Sequence, residues 1–353
     1  MPSWRCGNPD PADMINTFLL SLQPSQQVGL LFVLLFGMLS VISVYAVVQT
    51  LHERPEGALD DVQTTAQTMA QKDFNGVLQT SWVMATVFWV GWALGETVAT
   101  VLFAFVAFFA LREFITLSPT RQGDHRSLVL AFFIVLPIQF SLVITRHFDL
   151  VTVFIPVYVF LAIPVVSALA NDPERFLERN AKLQWGIMVC VYGISHVPAL
   201  LLLKFPDYQG KNAFLVFFLV FVVQSCMMVQ YLVDNRLKRN AFAVFKPVAP
   251  QISTTFNWTG WLIAVVVASL IGGLMSALTP FKPAQAVAMA LIACVAGSLG
   301  HLVMKALKRD RGITNWGKEG KSVTGASGLL DRVDALCFAA PVFFHSVRWY
   351  FGI

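Results

Sequence analysis

Apolar residues in this chain come in long blocks, not in alternation or in one-sided helical stripes. Eight blocks approach the roughly 20 residues that an α-helix needs to cross a bilayer. They cover residues 28–49, 127–145, 149–170, 184–204, 212–233, 258–279, 284–304 and 335–351. A further stretch, 80–111, is too long for one ordinary helix and is interrupted by Gly91, Gly95 and Glu96. It reads either as one tilted span or as an interfacial helix followed by a span. Between the first two blocks, residues 51–79 carry Arg54 and Lys72 against Glu53, Glu56, Asp60, Asp61 and Asp73, the pattern of a solvated loop with some helical character. Heptads and fixed-period repeats, which would signal a coiled coil or a solenoid, are absent. The pattern predicts an all-α polytopic integral membrane protein of about 8–10 transmembrane helices. Its order is a polar N-terminal segment (1–27), an N-terminal and middle membrane region (28–211), and a C-terminal membrane region (212–353) with polar loops at 234–257 and 305–334.

Composition agrees with this reading and sharpens it. Of 353 residues, 56% are hydrophobic and 13% charged, with a mean hydropathy of +0.66; soluble domains carry about 25% charged residues. Residues 1–27 contain Pro2, Pro9, Pro11 and Pro24 and lack a basic leader, so the first apolar block reads as a retained span. Of the five cysteines, Cys190, Cys226, Cys294 and Cys337 fall inside apolar blocks with no metal-type spacing, which makes them small core residues.

The net charge of +5 gathers in two loops. Residues 234–257 hold Arg236, Lys238, Arg239 and Lys246 against Asp234. Residues 305–334 hold Lys305, Lys308, Arg309, Arg311, Lys318, Lys321 and Arg332 against Asp310, Glu319, Asp331 and Asp334. Loops rich in Lys and Arg stay in the cytoplasm. Two spans and the turn at Pro280–Pro283 separate these loops, which requires one side for both. The charge therefore predicts a multi-pass protein of the cell inner membrane, its basic loops facing the cytoplasm and anionic lipid, with no nucleic-acid partner.

The second basic loop also holds the chain's densest chemistry. Read as a helix, His301, Lys305 and Lys308 fall at i, i+4 and i+7 and share a face, while Asp331 and Asp334 fall at i, i+3. A loop from Gly317 to Gly328 joins the two halves. Cations, a glycine-rich loop and paired carboxylates beside a membrane suit a phosphate-bearing ligand. An ordinary positive-inside loop followed by a helix cap has the same composition. Glu96, His196 and His345 lie in apolar segments, where polar groups are costly and mark either function or a satisfied structural role.

The order of motifs resembles the phosphatidate cytidylyltransferases. The resemblance rests on Leu307-Lys308-Arg309, Gly312, Gly317, Gly328, Leu330-Asp331-Arg332-Val333-Asp334 and the tail from Cys337 to His345. Two weaker matches precede these. Gln230-Tyr231 fits a first motif, with Met227 at its acidic position and Asp234 at its Gly. Ser253, Trp258 and Gly260 fit a second motif whose lysines and Glu are missing here. In the third, Gly300-His301-Leu-Val-Met-Lys305-Ala-Leu-Lys308-Arg309, His301 stands where the family has Asp and Lys305 where it has Ser. Arg112-Glu113-Phe114 also resembles the family and looks like a helix end docked at the headgroups.

The resemblance implies formation of CDP-diacylglycerol from CTP and phosphatidate. Asp331, Asp334, Lys308 and Arg309 would be catalytic, and Asp331 and Asp334 would hold Mg²⁺. Ser253, Gln230, Tyr231, Lys305, His301 and Arg332 would contact substrate. The substituted positions lower the expected reliance on Mg²⁺, because it favours hard oxygen ligands. They leave a second reading open: a catalytically degenerate member that binds an anionic phospholipid and acts through a partner. A homodimer is compatible with either reading.

Overall fold

The computed structural model describes residues 23–52, part of 82–94, 95–116, 121–205, 208, 211–239, 247–253, 256–313 and 328–353. The expected loop at 51–79, Lys246 and the Gly317–Ser327 stretch lie outside the described residues, apart from the last turn of the first helix. The chain divides into two compact units, Met1–Val90 and Gly91–Ile353. In the first, α1 (Pro24–His52) carries Ser43, whose Oγ accepts the Trp82 indole N–H at 2.9 Å, and Phe36 packs on the rings of Trp82 and Trp89.

Among the described residues the second unit is built of helices without strands. In chain order they are α2 (Glu96–Thr116), α3 (Gln122–Ile144), α4 (Phe148–Ala168), α5 (Phe176–Leu201), α6 (Asn212–Arg239), α7 (Trp258–Leu278), α8 (Pro283–Asp310) and α9 (Leu329–Phe351). Seven segments, α2 to α8, contain a stretch long and apolar enough to cross a membrane. The eighth, α9, has 23 residues and carries Asp331, Arg332 and Asp334 in its first two turns. The all-α polytopic architecture expected from the blocks is the one observed. The ambiguous stretch at 80–111 resolves at Gly95, whose φ of +96° ends one helical run and lets α2 start at Glu96.

Local sequence sets the helix ends. The Asn257 side chain caps α7 by accepting the Gly260 N–H, and Pro283 opens α8 at a position where its missing N–H costs nothing. Wide π-turns interrupt α3 (Ala131–Val135), α4 (Phe154–Val159) and α5 (Ile187–Gly193). Pro156 lies inside the second, and Pro137 and Pro198 follow the first and third by two and five residues; a looser turn accommodates a proline ring and its lost hydrogen bond.

Helix α5 forms the centre of the bundle: 78% of its apolar stretch is buried, against 28% for α4 and α7. Helix α9 packs most extensively against α8 and also touches α5, α6 and α2. Ion pairs close both ends. At one, Arg179 of α5 bridges Asp124 (2.8 Å) and Asp172 (2.7 Å), tying the start of α3 to the α4–α5 connection. At the other, Arg146 holds Glu96 (2.8 Å) and Arg348 holds Asp149 (2.9 Å). The residues singled out in the sequence mostly gather at the first end.

Candidate functional site

Helices α8 and α9 are antiparallel, so the end of one faces the start of the other. His301 Nδ1 lies 2.7 Å from Asp334 Oδ2, and Lys308 Nζ donates to Asp331 Oδ1. The two faces read separately from the sequence thus meet each other. Seven residues along α8 rise about 10.5 Å and three along α9 about 4.5 Å. The long Lys308 stem bridges the difference, leaning toward its own helix N-terminus as helical side chains do. Close packing of α9 on α8 accompanies the first pair: the Phe338 ring lies against Gly300, where a Cβ would stand 2.3 Å from it. Asp334 and Lys308 are buried, which charged groups tolerate when paired.

Three more elements complete this end. From α6 comes the buried Asp234, whose Oδ1 accepts from Asn257 Nδ2 at 2.7 Å, while Asn257 Oδ1 accepts the Gly260 N–H at 2.6 Å. A Cβ on Gly260 would stand 2.4 Å from Asp234 Oδ1, so this carboxylate needs glycine there. From α2 comes Glu113, whose two carboxylate oxygens accept the backbone N–H groups of Gly328 (2.6 Å) and Leu330 (2.8 Å). It thereby caps α9, whose first N–H groups have no partner within the helix. Lys305, half-buried on α8 between His301 and Lys308, lies in the field of Asp334, Asp234 and Lys308.

The remaining expected residues are distributed less evenly. Buried Ser253 accepts the Phe256 N–H at 3.3 Å, holding the turn that leads to Asn257. Arg309 is exposed and Arg332 half-exposed at the rim of the paired residues. Gln230 is half-buried one turn before Asp234, and Tyr231 is 59% exposed on the flank of α6. Among the described residues, no hydrogen bond or ion pair joins these two side chains to the α8–α9 pairs. Glu96 forms the ion pair with Arg146 at the opposite end. His196 is fully buried with Nδ1 on the Tyr192 carbonyl at 2.7 Å, and His345 Nε2 meets the Tyr192 hydroxyl at 3.0 Å. Both imidazoles belong to the other half of the bundle.

Sequence reading passed over three participants. Asp234 was read as the acid of a basic loop and as a substituted glycine, yet it is the acid that α6 contributes, two turns along the same face from Met227. Asn257 had a legible signal, a capping residue directly before an apolar run. Glu113 had none for this role, since its partners lie more than 200 residues away.

Mg²⁺ favours octahedral oxygen ligands at about 2.0–2.1 Å with one or two carboxylates among them. Here an imidazole nitrogen lies against Asp334 and an ammonium against Asp331. Among the described residues no three His, Cys, Asp or Glu side chains gather as a metal-holding group. The residues in this arrangement do not fit Mg²⁺. What they can do is present several cations and N–H donors to an anion at the end of an apolar bundle.

Comparison with known proteins bears on this geometry. The sequence profile of the cytidylyltransferase family matches residues 77–350, which include every element of the charged end. An uncharacterized protein of Escherichia coli (strain K12), YnbB, is 34% identical over 250 residues, covering 70% of this chain and 78% of that protein. This chain therefore belongs to the cytidylyltransferase family.

Proposed function

We propose that this protein forms a CDP-linked lipid from CTP and phosphatidate at the charged end of its bundle, with that end facing the cytoplasm of the inner membrane. The observation that carries the reading is the interlocked set His301–Asp334 and Lys308–Asp331 at one end of an apolar helical unit, in a chain of the cytidylyltransferase family. An oxygen of the phosphatidate phosphate attacks the α-phosphorus of CTP. A new P–O bond forms, the bond between the α-phosphorus and its bridging oxygen breaks, and pyrophosphate leaves with the electron pair. No proton need move.

The difficulty is electrostatic, because two anions must meet. Such transfers depend chiefly on positioning and on charge stabilisation. Arg309 and Arg332 at the rim meet the incoming phosphates, and Lys305 and Lys308 lie deeper, against the position where charge passes to pyrophosphate. Asp331 and Asp334 hold Lys308 and His301 in place, and Glu113 fixes the start of α9 that carries them. Apolar α7 and α8 flank the site and receive the acyl chains.

The pairing of both α9 carboxylates also favours a second reading, in which the same end binds an anionic phospholipid without turnover. Transfer of label from α-labelled CTP into lipid by the purified chain separates the two. We expect transfer, and its loss in Asp331→Asn. Lipid binding without any transfer would establish the second reading in its place.

A further inference from the structure

Among the described residues, the carboxylates that α6 and α9 bring to the charged end each face a nitrogen donor of the chain itself. Asp334 has the His301 imidazole, Asp331 the Lys308 ammonium, and Asp234 the Asn257 amide, while Lys305, one turn from both His301 and Lys308 on the same helix face, feels the charges of Asp334 and Asp234. We propose that His301, Lys305 and Lys308 are built-in donors standing where carboxylates of this kind would otherwise gather a divalent cation, so that the end handles phosphate without a metal ion. The proposal rests on the reading above that this end receives phosphate.

Two physical points carry it. A divalent ion must bring several oxygens to one point, and here the oxygens of α6 and α9 are turned to separate nitrogens. An ammonium group a few ångströms from that point also repels the ion, and the repulsion is strong where burial lowers the effective dielectric constant. Tethered donors have a different use. They are present at every encounter, need no metal from solution, and stand on a helix packed so closely against α9 that the Phe338 ring leaves no room for a Cβ on Gly300. His301 occupies an oxygen of Asp334 directly, and Lys305 adds a positive charge in the field of Asp334 and Asp234, so replacing these two most directly frees the carboxylates and lowers the repulsion against a cation.

The test reads metal binding, not turnover. Mn²⁺ is titrated into the purified full chain in detergent, without CTP or lipid, and free Mn²⁺ is followed by its electron paramagnetic resonance signal. The wild type should leave the signal undiminished. The double variant His301→Asp with Lys305→Ser should take up a single Mn²⁺ per chain, with apparent affinity raised roughly a hundredfold or more as a nearby positive charge is lost. Adding Asp334→Asn should abolish that uptake. Should the double variant fail to fold, Lys305→Ser alone serves, with a smaller gain expected.

Stoichiometric Mn²⁺ on the wild type, lost in Asp334→Asn, would overturn the proposal. So would a folded variant that gains no Mn²⁺. Because neither substrate is present, this outcome is independent of whether the chain transfers cytidylyl groups.

Discussion

At the scale of single residues, the charged end is a set of side chains each fixed by another. Glu113 shows what that fixing contributes. Its carboxylate is the acceptor for two N–H groups at the start of α9, and losing a cap of this kind costs about 0.5–2 kcal/mol. Glu113→Ala should therefore lower the melting temperature in detergent and weaken transfer, although Glu113 touches none of the proposed phosphate donors. Glu113→Gln, which keeps one acceptor oxygen, should lose less of both. Equal stability of wild type and Glu113→Ala would show that the cap is dispensable. The sequence made part of this layer legible. The spacing of His301, Lys305 and Lys308, and of Asp331 and Asp334, was readable because helical periodicity fixes which side chains share a face. That the two faces are each other's partners was not readable, because helical periodicity says nothing about which neighbour a face meets. The same limit hid Asp234 and Glu113.

At the scale of elements, the site depends on how closely α8 and α9 approach. Apolar blocks gave the helices and nearly their limits, since a run of about 20 apolar residues has few alternatives in a bilayer. The π-turns in α3, α4 and α5 were foreshadowed only by their prolines, and the break at Gly95 only by a glycine among several. The close contact at Gly300 is a property of the packed pair and of neither helix alone. Gly300→Ala would place a methyl group against the Phe338 ring, where the built Cβ lies at 2.3 Å. Overpacking of this kind costs about 1–3 kcal/mol. The variant should unfold at lower temperature, and it should lose transfer activity to a greater degree than a matched Ala substitution on the exposed face of α8 at Val303. A Gly300→Ala protein with wild-type melting and activity would mean that the helices separate without consequence for the site.

For the whole molecule, the basic loops and the alternation of spans argue one orientation, with α8 ending and α9 beginning on the cytoplasmic side. Single cysteines in a cysteine-free background test it at described, exposed positions. Arg309→Cys should react only when reagent reaches the cytoplasmic face, and Lys282→Cys, at the other end of α8, only from the opposite face. The reverse pattern would invert the orientation. With that orientation the charged end meets both a soluble nucleotide and the headgroups of the adjoining leaflet, which is the arrangement the proposed reaction needs. The most direct measurement is to incubate the purified chain with α-labelled CTP and vesicles containing phosphatidate, and to quantify labelled lipid and released pyrophosphate together. Equal amounts of the two are expected, dependent on phosphatidate and absent in Asp331→Asn. Unlabelled lipid and no pyrophosphate, from protein shown to be folded and to bind the vesicles, would contradict the proposed reaction.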